Sequence, residues 1–250
     1  MTLYGLIGYP LTHSHSKKFF TKRFQHDNLA CQYENFEIDD IAKITEIVSQ
    51  HPDLVGLNVT SPYKEAVIPY LNEIDPTAEQ IGSVNTIKIS NSKLIGYNTD
   101  IFGFDALLTE AIGEKKVERS LVLGTGGASK AVCHCLQQRG IAFDKVSRTP
   151  GKADMTYSDI TPETLKSHRL IVNATPVGMH PLEDEFPALP YQNLSRRNIM
   201  IDLIYNPKET LFLEFGRTFD ACTFNGHTMF VVQARKSWEI WNTPLEEIAL

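Results

Sequence analysis

Short apolar runs alternate with longer amphipathic segments from one end of the chain to the other. Short apolar runs are typical of buried strands, whereas apolar residues spaced three and four apart are typical of helices. In the first part of the chain this pattern predicts strands at residues 3–8, 33–38 and 54–60, a hairpin of strands 83–90 and 93–98 around Asn91-Ser92, and helices at residues 16–26, 40–51, 63–71 and 100–112.

A polar segment at residues 114–119 interrupts this pattern, which then starts again. Because strands and helices alternate in both series, the sequence indicates an α/β architecture with parallel sheets and two lobes with a cleft between them. Residues 179–197 carry three prolines and are predicted to be irregular surface. The second series predicts strands at residues 120–124, 145–148, 170–174, 199–204 and 222–224, and helices at residues 129–139, 209–217 and 226–241.

Composition and charge narrow the possible functions. The 250 residues carry a formal net charge of −6, whereas a nucleic-acid-binding protein usually has a basic face. No apolar run approaches the length of a membrane span, and the N-terminus lacks the features of a signal peptide. The four cysteines form no C-x-x-C pair, so reduced thiols are the simplest interpretation. We therefore expect a cytoplasmic protein without nucleic-acid or membrane partners and without a metal site.

A glycine turn, Gly124-Thr125-Gly126-Gly127-Ala128, follows the apolar run at residues 121–123 and precedes a predicted helix. A strand, a glycine turn and a helix N-terminus form the arrangement that holds a pyrophosphate, because the backbone can approach closely and its N–H groups are available. Ser129 stands where the G-x-G-x-x-G pattern has its third glycine. The alternative is a purely structural corner between a strand and a helix.

The turn after the next predicted strand indicates which nucleotide would bind. NAD-binding folds usually carry an acid there for the adenosine ribose, but this chain has Ser147, Arg148, Thr149 and Lys152. Cations attract a 2′-phosphate, and arginine can bind it with two hydrogen bonds. The predicted cofactor is therefore NADP, and the alternative is an ordinary exposed basic turn.

Four polar patches lie at the ends of predicted strands in the first part of the chain. Ligands of α/β sheets bind at strand ends, so together these patches suit a small hydroxylated acid. Each also has an ordinary interpretation: Ser14, Ser16 and Asp100 could cap helices, and Lys64 could be a solvated surface residue. The patches are Ser14-His15-Ser16, Asn58-Val59-Thr60-Ser61-Pro62-Tyr63-Lys64, Ser83-Val84-Asn85-Thr86 and Gly96-Tyr97-Asn98-Thr99-Asp100.

These patches and several later motifs resemble the shikimate dehydrogenase family, whose members reduce 3-dehydroshikimate with NADPH. The resemblance runs almost end to end, with the motifs in the family's order. The later motifs are the glycine turn, Ser147-Arg148-Thr149, Asn173-Ala174-Thr175-Pro176-Val177-Gly178-Met179, Asp202-Leu203-Ile204-Tyr205-Asn206-Pro207, Asn225-Gly226-His227-Thr228-Met229 and Gln233-Ala234.

The resemblance implies an N-terminal open α/β substrate domain and a Rossmann-like NADP-binding domain. With the last helix packing back onto the first lobe, the substrate domain comprises residues 1–100 and 227–250, and the cofactor domain residues 101–226. A small-molecule substrate is expected, in a monomer or a homodimer.

The resemblance also assigns roles to residues on the substrate side. Lys64 and Asp100 would form the catalytic pair. Ser14 and Ser16 would bind the substrate carboxylate with Tyr205 nearby. The ring hydroxyls would be held by Asn58, Thr60, Asn85, Asp100 and Gln233.

On the cofactor side, the resemblance implies that the glycine turn, Gly124, Thr125, Gly126, Gly127 and Ala128, binds the pyrophosphate. The adenosine 2′-phosphate would contact Arg148, Thr149 and Lys152, with Ser147 beside them. The nicotinamide pocket would be lined by Thr175, Gly226 and Met229.

The chain departs from the family pattern at three places. Ser147 stands where the family more often has Asn, His227-Thr228 replaces a small residue and Gly, and the chain is short around the second strand of the cofactor lobe. Two other functions stay open: a broader quinate/shikimate dehydrogenase, possibly NAD-using, and a catalytically silent NADP-binding regulatory module. The joint presence of Lys64 and Asp100 argues against the silent module.

Overall fold

The computed structural model describes residues 1–11 and 14–244, and the chain divides into two compact units. The first unit contains Met1–Thr99 and the described residues from Ala234 onward. The second unit contains Asp100–Gln233. Within the described ranges, no helix combines the length and the apolar character that a membrane crossing requires. Each unit is built on its own sheet, which confirms the α/β fold class.

The first unit is a mixed sheet in the order β2-β1-β3-β5-β6-β4. All pairings in it are parallel except those of β5, which runs antiparallel to β3 and β6. Its elements are β1 (Thr2–Gly8), α1 (Ser16–His26), β2 (Cys31–Glu37), α2 (Ile44–Gln50), β3 (Leu54–Val59), α3 (Tyr63–Ala66), β4 (Glu73–Ile74), α4 (Pro76–Ile81), β5 (Thr86–Ser90) and β6 (Lys93–Tyr97).

The direction of β5 determines where the polar patches meet. β1, β3 and β6 run the same way, so their carboxyl ends lie along one edge of the sheet, and the first residue of β5 lies at that edge too. Asn58 near the end of β3 is paired in register with Thr86 at the start of β5. Patches that are far apart in sequence therefore come from one edge of one sheet.

The second unit is an entirely parallel sheet in the order β12-β11-β10-β7-β8-β9. Its elements are α5 (Asp100–Ile112), β7 (Arg119–Leu123), α6 (Gly127–Gln138), β8 (Ala142–Ser147), β9 (Met155–Thr156), α7 (Pro162–Ser167), β10 (Leu170–Asn173), β11 (Ile199–Asp202), α8 (Leu211–Thr218), β12 (Cys222–Phe224) and α9 (His227–Asn242), the last continuing into the first unit from Ala234.

Short elements differ most from the sequence-based prediction. The helix predicted at residues 40–51 is a 3-10 turn, Ile41–Lys43, followed by α2, and the one at residues 63–71 is α3 followed by the 3-10 turn Ile68–Tyr70. Neither α4 nor α7 was predicted, because six residues are too few to show an apolar period. Both nevertheless carry boundary signals, since each begins with proline behind a capping side chain, Asp75 or Thr161.

The end of α9 is fastened to the first unit's sheet by a buried lysine. Lys88 on β5 is only 6% exposed, and its ammonium donates to the carbonyl oxygens of Ile240 at 2.9 Å and of Thr243. A cation suits the carbonyls at a helix C-terminus, which lack intrahelical partners. Burial lowers the pKa of Lys88, so its charge is maintained at a cost that these two carbonyls offset.

We predict that Lys88→Met lowers the free energy of unfolding by about 2–4 kcal/mol, because two carbonyl oxygens lose their donor in a largely buried place. Urea denaturation checks this. The matched control is Lys93→Met on the neighbouring strand, whose side chain is 57% exposed and pairs with Glu73. Equal effects of the two substitutions would contradict the role of Lys88.

Candidate active site

The loop before α1 holds the two serines predicted to bind a carboxylate. Ser14 and Ser16 are half-buried, and the Ser14 hydroxyl accepts from the Ser16 N–H at 3.3 Å. The N-cap of α1 is His15, whose side chain caps nothing, so neither serine takes the N-cap position. The Leu11 N–H donates to the Glu37 carboxylate at 2.6 Å, which anchors the start of this loop. Residues 12 and 13 of the loop lie outside the described residues.

Asn58 is the centre of a buried network beneath α9. Its amide nitrogen donates to Ser237 at 3.0 Å and Thr86 at 3.3 Å, and its oxygen accepts from the Tyr33 hydroxyl at 2.8 Å. Asn58 is 6% exposed and Ser237 is fully buried. Its position is therefore fixed from three elements, and hydrogen bonds within the protein already engage both ends of its amide.

Asn85 is fixed in a similar way at the start of β5. Its amide donates to the Thr99 hydroxyl at 2.9 Å and its oxygen accepts from the Thr99 N–H at 2.6 Å. This pair of bonds joins the strand ends of β5 and β6. Residue 100 follows directly in the chain, so the backbone leading to Asp100 is also held.

Lys64 lies on α3, just beyond the end of β3. It is half-buried rather than fully solvated, and its carbonyl accepts from the Val84 N–H at 2.8 Å. The neighbouring Tyr63 donates to the Ile38 carbonyl at 2.7 Å, which ties this short helix to the unit's core. Thr60, at the end of β3, is half-buried and begins the turn into α3.

In the second unit, Asp100 is the first residue of α5 and is only 4% exposed. A carboxylate at a helix N-terminus is stabilised by the free N–H groups there. Because Asp100 is also buried, it stays a candidate for a role in the active site in addition to capping the helix.

The glycine turn has the geometry of an anion site. Gly124 has φ +110°, and a Cβ there would meet the Ala174 carbonyl oxygen at 3.0 Å, so only glycine fits. Gly126 is the N-cap of α6 and has no side chain with which to cap the helix, whose first turn carries no acid. A Cβ on Gly126 would meet open space, so the backbone at the N-terminus of α6 is not crowded on that side, and helix N-termini of this kind bind anions.

Ser129 takes the place of the third glycine of the G-x-G-x-x-G pattern without disturbing the packing there. Its side chain is buried, and its hydroxyl donates back to the Gly126 carbonyl at 2.6 Å. A small side chain that bonds within its own turn keeps the helix and the sheet close, which is the packing role of that glycine.

The basic turn lies beside the glycine turn, because the Gly124 N–H donates to the Val146 carbonyl on β8 at 2.9 Å. Ser147 is buried and its hydroxyl accepts from the Thr149 N–H at 3.0 Å, so it shapes the turn. Arg148, Thr149 and Lys152 are exposed. An uncapped helix N-terminus beside an exposed arginine and lysine fits the pyrophosphate and 2′-phosphate of NADP.

The ends of β10 and β11 are joined by two buried polar side chains. The Asn173 amide donates to the Asp202 carboxylate at 3.1 Å, and both residues have no exposed surface. Asn173 also accepts from the Thr175 hydroxyl at 2.6 Å. Asp202 further accepts from the Thr210 hydroxyl at 2.6 Å and the Ile204 N–H at 3.0 Å.

The environment of Asp202 favours its protonated form. Burial raises the pKa of Asp202 to about 7, and the hydrogen bonds from Thr210, Ile204 and Asn173 only partly offset this. These three donors are neutral, so they compensate the lost hydration incompletely.

The segments before and within α9 carry the remaining predicted residues. A Cβ on Gly226 would lie 2.0 Å from the Leu203 carbonyl oxygen, so only glycine allows this close approach. Met229 is buried, and Tyr205 stacks on Phe230 with ring centroids 4.5 Å apart. The Gln233 amide donates to the Phe230 carbonyl at 3.0 Å.

The departure at His227-Thr228 has a local structural role. The Thr228 hydroxyl donates to the Glu110 carboxylate on α5 at 2.7 Å, whereas His227 is exposed. This contact helps to fix the start of α9.

Sequence reasoning gave no role to Asn173, Asp202, Thr210 or Ser237. Two of them carried a readable signal: β10 reads Leu-Ile-Val-Asn and β11 reads Ile-Met-Ile-Asp, each an apolar run that ends in a polar residue. A polar side chain at the end of a buried strand has to find a partner, and register neighbours can supply it. Ser237 carried no such signal, because its partners lie far away in sequence.

A surface pocket of about 420 Å³ lies elsewhere, against α1 and β2, and none of the predicted site residues lines it. Two of its lining residues, Lys17 and Glu34, pair with each other at 2.6 Å. In residues 1–11 and 14–244, no cluster of three or more His, Cys, Asp or Glu side chains is placed to hold a metal ion.

Comparisons with known proteins identify one family. Residues 6–87 match the family model described as the shikimate dehydrogenase substrate binding domain. A protein named shikimate dehydrogenase (NADP(+)) from Methanococcus aeolicus is 36% identical over 255 residues, which covers 96% of this chain and 91% of that protein.

Solved structures agree with the sequence comparison. Shikimate dehydrogenase 1 from Peptoclostridium difficile is 40% identical with a TM-score of 0.86, covering 99% of this chain and 94% of that one. The enzyme AroE from Thermus thermophilus, solved in complex with NADP(H) and shikimate, is 29% identical with a TM-score of 0.85, covering 97% of this chain and 94% of that one.

The raised pKa of Asp202 predicts how stability depends on pH. The folded state holds this proton more tightly than the unfolded chain, so wild type loses stability as pH rises from the unfolded value toward about 7. Asp202→Asn removes the titration. Between about pH 5 and about pH 8, the free energy of unfolding of wild type should therefore fall by about 2–3 kcal/mol relative to Asp202→Asn.

Urea denaturation of both proteins at the two pH values measures this difference. Asp159→Asn is the control, because hydrogen bonds from Thr156 lower the pKa of Asp159, and its contribution is lost only in more acidic solution. A wild type that gains stability over this range relative to Asp202→Asn, or shows no change, would contradict the assignment.

Proposed function

Because the chain belongs to the shikimate dehydrogenase family, we propose that it catalyses the reversible NADP-dependent reduction of 3-dehydroshikimate to shikimate, in the biosynthesis of chorismate and the aromatic amino acids. The observation that carries this proposal is the anion site of the second unit. Its uncapped helix N-terminus lies next to an exposed basic turn, in a chain similar to NADP-dependent relatives over almost its whole length.

In this proposal the cofactor is held by the second unit. The glycine turn binds the pyrophosphate through backbone N–H groups, since Gly126 has open space where a side chain would stand. Arg148, Thr149 and Lys152 bind the adenosine 2′-phosphate. The nicotinamide pocket is lined by Thr175, Gly226 and Met229.

The substrate is held by polar side chains, several of which lie at strand ends. Ser14, Ser16 and Tyr205 bind its carboxylate, and hydroxyl groups are suited to this because they donate hydrogen bonds to an anion. The ring hydroxyls contact Asn58, Thr60, Asn85, Asp100 and Gln233. The networks around Asn58 and Asn85 support this role because they restrict the motion of both side chains.

The protein's chemical task is to handle a proton. When bound, NADPH supplies the hydride that the ketone carbon receives. Lys64 donates a proton to the ketone oxygen, which becomes the hydroxyl of shikimate, and solvent then reprotonates Lys64. In the reverse direction Lys64 accepts the proton. Asp100 orients the lysine and the substrate hydroxyl by accepting hydrogen bonds.

The cytoplasmic location and the monomeric or homodimeric state stay predictions. All four cysteines are free thiols, which is compatible with a reducing compartment.

Lys64→Ala tests the catalytic assignment. Loss of a general acid should lower kcat for shikimate oxidation with NADP by about 10²–10⁴-fold, while shikimate binding changes little. Steady-state kinetics and calorimetric titration measure the two effects. Lys43→Ala is the matched control, because Lys43 is an exposed lysine of the same unit that pairs with Asp39. Turnover of Lys64→Ala close to that of wild type would overturn the assignment.

Arg148→Ala tests how the cofactor is recognised. Removing a charge-assisted hydrogen bond to the 2′-phosphate should raise KM for NADP by about tenfold or more and change KM for NAD by less than about twofold. Arg119→Ala is the control, because Arg119 begins β7 at the opposite sheet edge and pairs with Asp144. If Arg148→Ala raises both Michaelis constants equally, Arg148 does not bind the 2′-phosphate.

A further inference from the structure

We propose that Asp202 is a positioning residue for this reaction, acting through Asn173 on Thr175 and through Ile204 on the segment that carries Tyr205. The inference rests on the proposed function, because Thr175 and Tyr205 are the groups assigned there to the nicotinamide and to the substrate. Asp202 itself has no exposed surface and touches neither ligand.

The first link runs from the carboxylate to Thr175. Asn173 and Asp202 are register partners at the ends of β10 and β11, with 3.1 Å between the Asn173 amide nitrogen and the carboxylate. The Asp202 oxygen that Asn173 faces also accepts from the Ile204 N–H at 3.0 Å, so this oxygen acts as an acceptor and Asn173 presents its NH₂ group on that side. The same NH₂ group also donates to the Val177 carbonyl at 3.2 Å, which favours the same orientation. The amide oxygen of Asn173 is then turned toward Thr175.

This orientation determines the polarity of Thr175. The amide oxygen of Asn173 accepts from the Thr175 hydroxyl at 2.6 Å and from the Thr175 N–H at 3.1 Å. The single hydroxyl hydrogen is therefore committed to Asn173. Because the Thr175 oxygen accepts from the Val177 N–H at 3.2 Å, one lone pair stays available. Thr175 can thus only accept from a ligand, which matches an N–H donor such as a carboxamide.

The second link runs from the carboxylate to the segment that carries Tyr205. Asp202 accepts from the Ile204 N–H at 3.0 Å, and the Ile204 carbonyl accepts from the Gly226 N–H at 3.0 Å. The peptide groups on either side of Ile204 are thereby fixed. Tyr205, the next residue, is held against Phe230 by ring stacking.

Asp202→Asn is a conservative substitution because the third donor to Asp202 is a hydroxyl group. The Thr210 hydroxyl donates to the second carboxylate oxygen at 2.6 Å. In Asp202→Asn, the remaining oxygen can still accept from Asn173 and Ile204, and the new NH₂ group can donate to Thr210, whose hydroxyl can also accept. Asp202→Asn therefore preserves both links, whereas Asp202→Ala removes both.

Asn173→Ala separates the two links. It disconnects Thr175 from the carboxylate but leaves the bonds from Ile204 and Thr210 to Asp202 in place. A residue with a merely structural role would reduce the folded fraction in every variant, without selecting one ligand over the other.

The experiment measures dissociation constants for NADP and for shikimate by calorimetry, with steady-state kinetics alongside, in wild type and the three variants. Asp202→Asn should stay within about threefold of wild type for both ligands, and Asp202→Ala should weaken both by about tenfold. Asn173→Ala should weaken NADP by about tenfold and leave shikimate within about threefold.

Provided that wild type binds both ligands, any of three results would overturn the inference. The first is that Asp202→Ala leaves both dissociation constants unchanged, and the second is that Asp202→Asn and Asp202→Ala raise them equally. The third is that Asn173→Ala raises the dissociation constants for NADP and for shikimate equally. If Asp202→Ala does not fold, as judged by circular dichroism, the selective defect of Asn173→Ala beside a normal Asp202→Asn decides the question. Wild type that binds neither ligand overturns the proposed function and, with it, this inference.

Discussion

Four polar side chains at strand ends of this protein are buried, and each must find hydrogen-bond partners inside the fold. Asn58 is 6% exposed and Asn85 is 2% exposed, and Asn173 and Asp202 have no exposed surface. An unsatisfied polar group at such a depth costs about 1–3 kcal/mol, so their partners are effectively obligatory. This requirement joins β3 to α9, β5 to β6 and β10 to β11, and it gives the candidate site its rigidity.

The two units provide hydrogen-bond partners for their buried polar side chains in different ways. In the first unit, Asn58 is satisfied by the hydroxyl groups of Tyr33, Thr86 and Ser237, which come from three different elements. In the second unit, a carboxylate and an amide satisfy one another, and the carboxylate has its pKa raised by burial. Both solutions place side chains of fixed polarity at a sheet edge, which is where α/β sheets bind ligands.

Periodicity predicted the long elements well. Helices at residues 16–26 and 100–112 were predicted at the bounds that the structure has, and the hairpin around Asn91-Ser92 is present, with both residues at positive φ. The periodic signal is too weak for helices of six residues and strands of two, so α4, α7, β4 and β9 were missed. The first sheet is mixed rather than parallel because the hairpin that the sequence predicted lies within it and turns β5 around.

The candidate site was less accessible to prediction, because residue type does not specify which way a polar group points. Motifs identified Asn58 and Asn85 but could not show that hydrogen bonds within the fold already engage their amides. The bond between Asn58 and Ser237 connects residues 179 positions apart, so no local pattern encodes it. By contrast, the polar ends of β10 and β11 were visible in the sequence, and only their pairing in register required the structure.

The most direct test of the account is the rate of nicotinamide reduction with four mixtures: shikimate or quinate, each with NADP or NAD. We predict that shikimate with NADP gives the highest kcat/KM, because Arg148 and Lys152 are exposed cations and cations attract a 2′-phosphate. The highest kcat/KM with quinate and NAD, or no turnover in any mixture, would contradict it.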